Sequence, residues 1–244
     1  MTPVRAIFFD IGDTLVYDIP SVEERLWTAS LDCGIDYPRT GLSGALRVAE
    51  TYALKEYVRG RPPETPEVAI EMLRSLLIFA GIESPSDDTL AALAASYAQI
   101  PFRRVLQDEA IALLDELRRR GFKLGIVSDW EDTLEDLLRE LGVMERVDAL
   151  AVSAIVGVTK PDPRIFQAAL DQAGASAEES LHIGDYLELD IAGAHAAGMQ
   201  ALLFDWRKRA LNSGVPRVES FADLCAALLE LPSPLAHSDS PKEH

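Results

Sequence analysis

The chain has 244 residues, a length that suits one large domain or a core with an insertion. Hydrophobic residues make up 48% and charged residues 26%, a globular composition that excludes the disordered, collagen-like and disulfide-rich classes. The 23 Lys and Arg residues against 40 Asp and Glu give a formal net charge of −17. This charge disfavours nucleic acid as a partner, because phosphate backbones are bound by clustered basic residues.

The expected compartment follows from the cysteines and the apolar segments. Cys33 and Cys225 lie far apart and form no metal-type pair, which favours a reducing environment while leaving a single cross-link open. The first residues show no signal-peptide pattern, and no uninterrupted apolar stretch reaches the roughly 18 residues that a membrane span needs. We therefore expect a soluble, cytoplasmic protein without membrane contact, either a monomer or a homodimer.

The first predicted element is a buried strand. Residues 4–9 (VRAIFF) are rich in β-branched and aromatic side chains and are too few for a helix. They end at Asp10, which opens the polar run 10–14 (DIGDT). This pattern predicts a strand that leads into a functional loop.

A long helical stretch without strand signals comes next. Ser21 and Glu24 have the spacing of a capping box, and Thr65 with Pro66 and then Ser86 have the character of further helix starts. Thr65 with Pro66 precedes the helical segment 68–80, and Ser86 precedes the segment 90–97. A further segment at 42–59 is separated from the next by Gly60, Pro62 and Pro63. Roughly ninety residues of helix are too many for a loop of an α/β protein and indicate an inserted helical domain.

Strands and helices then alternate. Strand patterns occur at 123–127, 149–153, 180–183 and 200–204, and helical patterns occur at 108–120, 133–141, 163–173 and 190–197. Such alternation predicts an α/β fold with a parallel sheet and helices on both faces. The expected domains are a core of 1–17 and 101–231, a helical insertion of 18–100, and a Pro- and Ser-rich tail of 232–244 that we expect to be disordered.

Polar residues that directly follow strands are the candidates for chemistry, because ligands of open α/β sheets bind beyond the carboxyl ends of the strands. Four sets occur, namely 10–14, Ser128, Thr159 with Lys160, and 184–185 with Asp190. Each alone is explained by helix capping, a turn or a surface position. Together they would place three carboxylates, a hydroxyl and an ammonium around one crevice.

The ordered combination resembles the haloacid dehalogenase superfamily. The matching segments are 9–15 (FDIGDTL), 126–129 (IVSD), 160–163 (KPDP), 183–185 (IGD) and 190–194 (DIAGA). The resemblance covers most of the chain outside the insertion, which is similar to the cap of the subfamily whose cap follows the first motif. It implies a Rossmann-like core with a mobile α-helical cap, and a phosphatase, dehalogenase or phosphonate hydrolase activity.

The resemblance also implies roles for single residues. Asp10 would be the nucleophile that forms an aspartyl-phosphate, with Ser128 and Lys160 as the other catalytic groups. Mg²⁺ would be held by Asp10, the carbonyl of Gly12 and Asp185, since hard cations prefer oxygen ligands. Asp190 would be a further ligand or would hold the water shell of the metal. The phosphoryl group of a small phosphorylated substrate would be bound by five residues. They are Gly12, Asp13 and Thr14 of the first loop, together with Ser128 and Lys160. Thr14 is expected to orient the loop.

One position departs from the family pattern. The phosphatases of this family carry a general acid and base two residues after the nucleophile, and here that position is Gly12. General acid–base catalysis contributes roughly 10² to 10⁴ in rate, so we expect the loss to be greatest for poor leaving groups such as simple alkyl phosphates. Asp13 is one candidate substitute. The others are a group from the cap, a substrate with a good leaving group, or slow turnover.

Three alternatives to a phosphatase follow from the same residues. One is a non-hydrolytic protein that binds a phosphorylated ligand. A dehalogenase would lack the acid as well, but Asp185 and Asp190 would then repel Asp10 without compensation, and this favours metal-dependent phosphoryl chemistry. A phosphonate hydrolase would need an amine from the cap, where Lys55 is the single lysine and is typical of a surface residue. His182 is expected to pack in the core, and Trp130 is a candidate for the entrance of the site.

Overall fold

A computed structural model describes residues 2–61, 65–210 and 213–237. The chain divides into two compact units, one formed by the residues up to Tyr17 and from Val105 onwards and the other by Asp18–Arg104. Within the described residues, no helix combines the length and the apolar character needed to cross a membrane. Both cysteines are free thiols.

The first unit contains a six-stranded sheet in the order β5-β4-β1-β6-β7-β8, and every neighbouring pair is parallel. Its strands are β1 (Ala6–Phe9), β4 (Lys123–Ser128), β5 (Ala149–Val152), β6 (Ser180–Gly184), β7 (Gln200–Phe204) and β8 (Arg217–Val218). The central strand β1 lies between β4 and β6, so its carboxyl end meets theirs at one edge of the sheet.

Helices cover both faces of this sheet, as the alternation predicts. They are α5 (Ala110–Arg119), α6 (Leu134–Glu140), α7 (Ser153–Val156), α8 (Pro163–Ala173), α9 (Ala192–Ala196) and α10 (Phe221–Glu230). One apolar cluster joins Ile7 and Phe9 of β1 to α5, α6 and α10. A second cluster joins Phe8 of the same strand to α8 and α9. Alternate residues of β1 therefore face opposite layers, as a strand buried on both sides requires.

The second unit is helical. Its helices are α1 (Val22–Asp32), α2 (Arg39–Val58), α3 (Pro66–Phe79) and α4 (Asp87–Gln99). The capping box forms as predicted, because the Ser21 hydroxyl accepts from the Glu24 amide and the Glu24 carboxylate accepts from the Ser21 amide. Leucines from all four helices meet in one buried core. Helix α2 ends beside Gly60, which has φ +79°, whereas Pro62 and Pro63 lie outside the described residues.

Strands interrupt the stretch that was expected to be helical. Residues of β2 (Val16–Ile19) and β3 (Arg103–Leu106) pair as a separate two-stranded sheet, and the boundaries of the two units fall within these strands. Because both strands are partly exposed and carry charged residues, neither shows the apolar run that reveals the strands of the main sheet. The strand β8 and helix α10 were also not predicted.

Two further expectations need correction. Helix α5 begins at Ala110 rather than at residue 108, and the residue before it, Glu109, has a left-handed conformation and makes no side-chain cap. The tail is ordered at its start, where residues 234–237 form a 3₁₀ turn. The Ser233 hydroxyl donates to the Arg120 carbonyl, and the side chain of Leu235 lies against Gly121. Only the part of the tail beyond residue 237 lies outside the described residues.

Candidate active site

The carboxyl ends of β1, β4 and β6 surround a pocket of about 190 Å³. Its walls come from the loops that follow these strands and from the segment around Lys160. The lining residues are Asp10, Gly12, Asp13, Ser128, Asp129, Trp130, Lys160, Asp185, Tyr186, Leu189 and Asp190. The sequence-predicted motifs therefore meet in one place, as the parallel register of the three strands requires.

Asp10 is the centre of the hydrogen-bond network. Its Oδ1 accepts from the Ser128 hydroxyl at 3.1 Å and from the Lys160 ammonium at 2.7 Å. All three side chains are almost completely buried. Asp10 extends directly from β1, Ser128 is the last residue of β4, and the Lys160 backbone amide is held at 3.0 Å by the Asp129 carboxylate.

Lys160 is shared between two carboxylates. Its Nζ also donates to Asp190 Oδ1 at 2.6 Å, and the same oxygen lies 3.1 Å from His182 Nε2. The other oxygen of Asp190 accepts from the Tyr186 amide at 3.0 Å. Burial would lower the pKa of Lys160, but the charges of Asp10 and Asp190 outweigh it and hold the pKa above its ordinary value. The lysine is therefore charged at neutral pH.

The pKa values of the two carboxyl groups next to Lys160 are shifted in opposite directions. Burial raises the pKa of Asp10 to about 6, and Asp190 adds to this shift while Lys160 opposes it. Burial would also raise the pKa of Asp190, but Lys160 and the hydrogen bond from His182 outweigh it and lower the pKa. Both oxygens of Asp190 accept hydrogen bonds, from Lys160 and His182 on Oδ1 and from the Tyr186 amide on Oδ2. For Asp10, the Lys160 and Ser128 side chains both donate to the same oxygen, Oδ1. Asp190 is thus the ionised partner of the buried lysine.

The loop after β7 brings two arginines to the acidic residues of the site. Arg209 lies 3.2 Å from Asp185 Oδ2 and stacks on the ring of Tyr186, and Arg207 forms a 2.8 Å ion pair with Asp13. Burial, together with the charge of Asp13, raises the pKa of Asp185 well above its ordinary value despite Arg209.

This loop is organised by a buried carboxylate at its first residue. Asp205 accepts from the backbone amides of Arg209 at 2.6 Å and Ala210 at 3.1 Å, and from the side chain of Arg217 at 3.0 Å. Carboxylates that accept several N–H bonds fix the backbone around them. Asp205 therefore determines where the two arginines lie.

The first loop has an unusual backbone at Asp13. This residue has φ 56°, a left-handed conformation that asparagine, aspartate and glycine adopt more readily than other residues. Its carboxylate lines the pocket but is paired with Arg207. Gly12 needs no such conformation, and a Cβ placed on it would meet only Trp130 Cζ3 at 3.6 Å. Thr14, predicted both to orient the loop and to bind phosphate, is fully buried and is not among the residues that line the pocket.

The oxygen donors of the pocket fit a hard cation in part. Asp10 and Asp185 are two buried carboxylates whose pKa values are raised, mainly by burial, and Gly12 lines the same pocket. Asp190, in contrast, has both oxygens engaged by Lys160, His182 and Tyr186, so direct ligation by Asp190 is not favoured. Accordingly, no three His, Cys, Asp or Glu side chains within the described residues are arranged as a metal cluster. Two carboxylates and a backbone carbonyl remain suitable ligands.

Several residues of the site were missed by the sequence reasoning. Asp129 is not among the predicted site residues, although its carboxylate holds the Lys160 backbone amide. His182 was expected only to pack in the core, and its ring contacts Asp190. The arginines 207 and 209 belong to a basic run, WRKR, that directly follows a predicted strand. Its position at the carboxyl end of that strand was the available signal.

The chain belongs to the haloacid dehalogenase-like hydrolases, because the model of this family matches residues 4–198. It is therefore a hydrolase by family. The loop that carries Arg207 and Arg209 lies beyond the matched residues.

Two relatives illustrate the similarity in sequence. Mouse haloacid dehalogenase-like hydrolase domain-containing protein 3 is 36% identical over 144 residues, which cover 56% of this chain and 57% of that protein. Glyceraldehyde 3-phosphate phosphatase of Methanopyrus kandleri is 30% identical over 204 residues, which cover 80% of this chain and 82% of that protein.

Among solved structures, the HAD-hydrolase YfnB from Bacillus subtilis, crystallised with magnesium, has a TM-score of 0.65 and 22% identity. The match covers 93% of this chain and 99% of that chain. At this identity the likeness shows a shared fold.

Proposed function

We propose that the protein is a Mg²⁺-dependent phosphatase that acts on a small phosphorylated metabolite through an aspartyl-phosphate at Asp10. The observation that carries the proposal is the buried Lys160 ammonium, 2.7 Å from Asp10 Oδ1 with the Ser128 hydroxyl 3.1 Å from the same atom. A carboxylate that attacks a phosphoryl group needs positive charge beside it, and Lys160 supplies that charge in a buried pocket.

Each group of the network has a role in this reaction. An Asp10 carboxylate oxygen forms a bond to phosphorus while the bond from phosphorus to the leaving-group oxygen breaks and that oxygen departs as an anion. Water then attacks the phosphorus of the aspartyl-phosphate, which releases inorganic phosphate and regenerates the Asp10 carboxylate. Lys160 and Ser128 bind the phosphoryl oxygens and orient Asp10. Asp190 acts through Lys160 and not on the substrate. Relatives such as the phosphatase of Methanopyrus kandleri support phosphoryl transfer as the chemistry.

Asp10, Asp185 and the Gly12 carbonyl would hold the cation. When bound, Mg²⁺ would neutralise the phosphoryl charge and the carboxylates that now repel one another. The raised pKa of both carboxyl groups supports this assignment, since protons compete for the ligands until a cation replaces them.

The leaving group receives no proton from residue 12, and Asp13 is paired with Arg207. The 2.8 Å ion pair engages the Asp13 carboxylate with Arg207 rather than leaving it free to face a leaving group. We therefore propose that the preferred substrates have leaving groups that depart readily as anions.

The test is phosphate release from a panel that includes an aryl phosphate, an acyl phosphate and several alkyl phosphates, each with Mg²⁺ and with EDTA. We expect metal-dependent turnover that is lost in Asp10→Asn, together with retained folding. No turnover on any substrate, combined with a ligand-dependent rise of the melting temperature, would instead favour a binding protein. Metal-independent halide release from a haloacid would favour a dehalogenase.

A further inference from the structure

His182 is a buried polar residue with a single hydrogen-bonding contact. It lies in β6, two residues before Gly184, and is fully buried. Its Nε2 is 3.1 Å from Asp190 Oδ1, whereas its Nδ1 has no hydrogen-bond partner within the described residues. An unpartnered nitrogen in a buried site costs free energy that an apolar side chain would avoid. Core packing alone therefore does not explain a histidine here.

The contact fixes the tautomer of the ring. An ionised carboxylate only accepts hydrogen bonds, so Nε2 must carry the proton. Burial lowers the pKa of His182, but the donor at Nε2 follows from the contact with Asp190 whatever the charge of the ring. His182 is thus a one-directional donor to Asp190.

The surroundings are built around this donor. A Cβ on Gly184 would lie 2.2 Å from Asp190 Cγ, so glycine is required for the carboxylate to lie against β6. The ring of Phe166 stands edge-on to His182 at 5.0 Å, and a Cβ on Gly193 would lie 2.5 Å from that phenyl ring. Two glycines thus make the space for the His182–Asp190 pair.

We propose that His182 is a positioning residue, whose Nε2–H holds Asp190 Oδ1 so that Asp190 keeps the Lys160 ammonium beside Asp10. The inference rests on the proposed phosphatase function for its kinetic consequence. Loss of the donor leaves the Asp190 carboxylate with Lys160 and the Tyr186 amide alone. The carboxylate can then turn towards the lysine and draw it away from Asp10, which weakens the stabilisation of the transition state.

The variants are chosen by where they place a donor. His182→Gln can place its amide N–H near the position of Nε2, His182→Asn is too short to do so, and His182→Met fills the space without a donor. We expect His182→Gln to keep kcat within about threefold, and His182→Asn and His182→Met to lose about 10- to 100-fold, as for other residues that orient catalytic groups. KM should change much less than kcat. His195→Met makes the same chemical change at an exposed position of α9 and should behave as the unmodified protein.

A purely structural role would lower the melting temperature without separating glutamine from asparagine. Equal activity in all three His182 variants, or equal loss in His182→Gln and His182→Asn, would overturn the proposal. A readout independent of turnover is the two-bond ¹H–¹⁵N spectrum of the imidazole, in which we expect the Nε2–H tautomer. An Nδ1–H tautomer overturns the inference even if the enzyme is active. A protein with the Nε2–H tautomer but no phosphatase activity would refute the proposed function and keep the contact.

Discussion

Replacing Lys160 by methionine should destabilise the protein in a pH-dependent manner. The ammonium lies 2.7 Å from Asp10 and 2.6 Å from Asp190, and all three side chains are buried. Removing one partner of a buried ion pair typically costs about 3–5 kcal/mol, because the remaining charge is left without compensation. For a chain of this size, that loss corresponds to a fall in melting temperature of about 6–20 °C.

The pH dependence has a definite sign. Without Lys160, the pKa values of Asp10 and Asp190 in the folded state rise above their values in the unfolded chain. Such groups stabilise the fold below the unfolded pKa and lose this contribution as the pH rises through the folded pKa. The stability difference between Lys160→Met and the unmodified protein should therefore be larger at pH 7.5 than at pH 5.

The assay is thermal and urea unfolding at both pH values in EDTA. Lys160→Met/Asp190→Asn should recover part of the loss, since only one buried carboxylate then remains without its partner. Lys123→Met, at an exposed position of β4, should change stability by less than about 0.5 kcal/mol. An equal, small loss at pH 5 and pH 7.5 would refute the view that Lys160 is the charge that keeps two buried carboxylates together.

Three further predictions concern the pocket itself. Gly12→Asp fits without backbone strain beside Trp130 and should raise kcat on alkyl phosphates by about 10²-fold or more. We expect little gain on aryl phosphates and no gain for Gly12→Asn. Unchanged release of phosphate from alkyl phosphates would contradict this prediction. Asp13→Asn should lower kcat by less than about tenfold, because the Asp13 carboxylate is paired with Arg207. If the pH–rate profile of Asp13→Asn instead loses one limb, Asp13 is the acid or base. In the metal-free protein the pKa of Asp10 is raised to about 6, so protonation of this carboxyl stabilises the fold at low pH and ceases to do so as the pH rises through that value. Mg²⁺ should therefore raise the melting temperature more at pH 7.5 than at pH 5. Equal rises at the two pH values would argue against ligation by Asp10.

The elements that sequence patterns predict best are those with strong local signals. Helix α8 begins at Pro163 behind the Asp162 cap and ends at Gly174, and all three signals are visible in the sequence. The capping box of Ser21 and Glu24 is equally local. Strands β2 and β3 escape prediction because they are partly exposed and carry charged residues, which leaves no continuous apolar run in either segment.

The site divides in the same way. Asp10, Ser128, Lys160 and Asp185 follow strands or lie in short motifs, so their convergence is predictable from a parallel sheet. The sequence does not predict which carboxylate oxygens remain available to a cation, because this depends on distances such as that from His182 Nε2 to Asp190 Oδ1. The direction of the Asp13 side chain also depends on Arg207, almost two hundred residues later in the chain. Contacts of this kind are set by tertiary packing and leave no local pattern.

The central position of β1 also affects how the polypeptide matures on the ribosome. Its partners are β4 and β6, which begin at Lys123 and Ser180, so this apolar strand leaves the exit tunnel long before either neighbour exists. At synthesis rates of about 5–20 residues per second, Phe8 and Phe9 wait roughly 6–25 seconds for β4. The helical unit Asp18–Arg104 is meanwhile complete in sequence. Nascent chains stalled before residue 123 should therefore bind chaperones through the segment around Phe8 and Phe9.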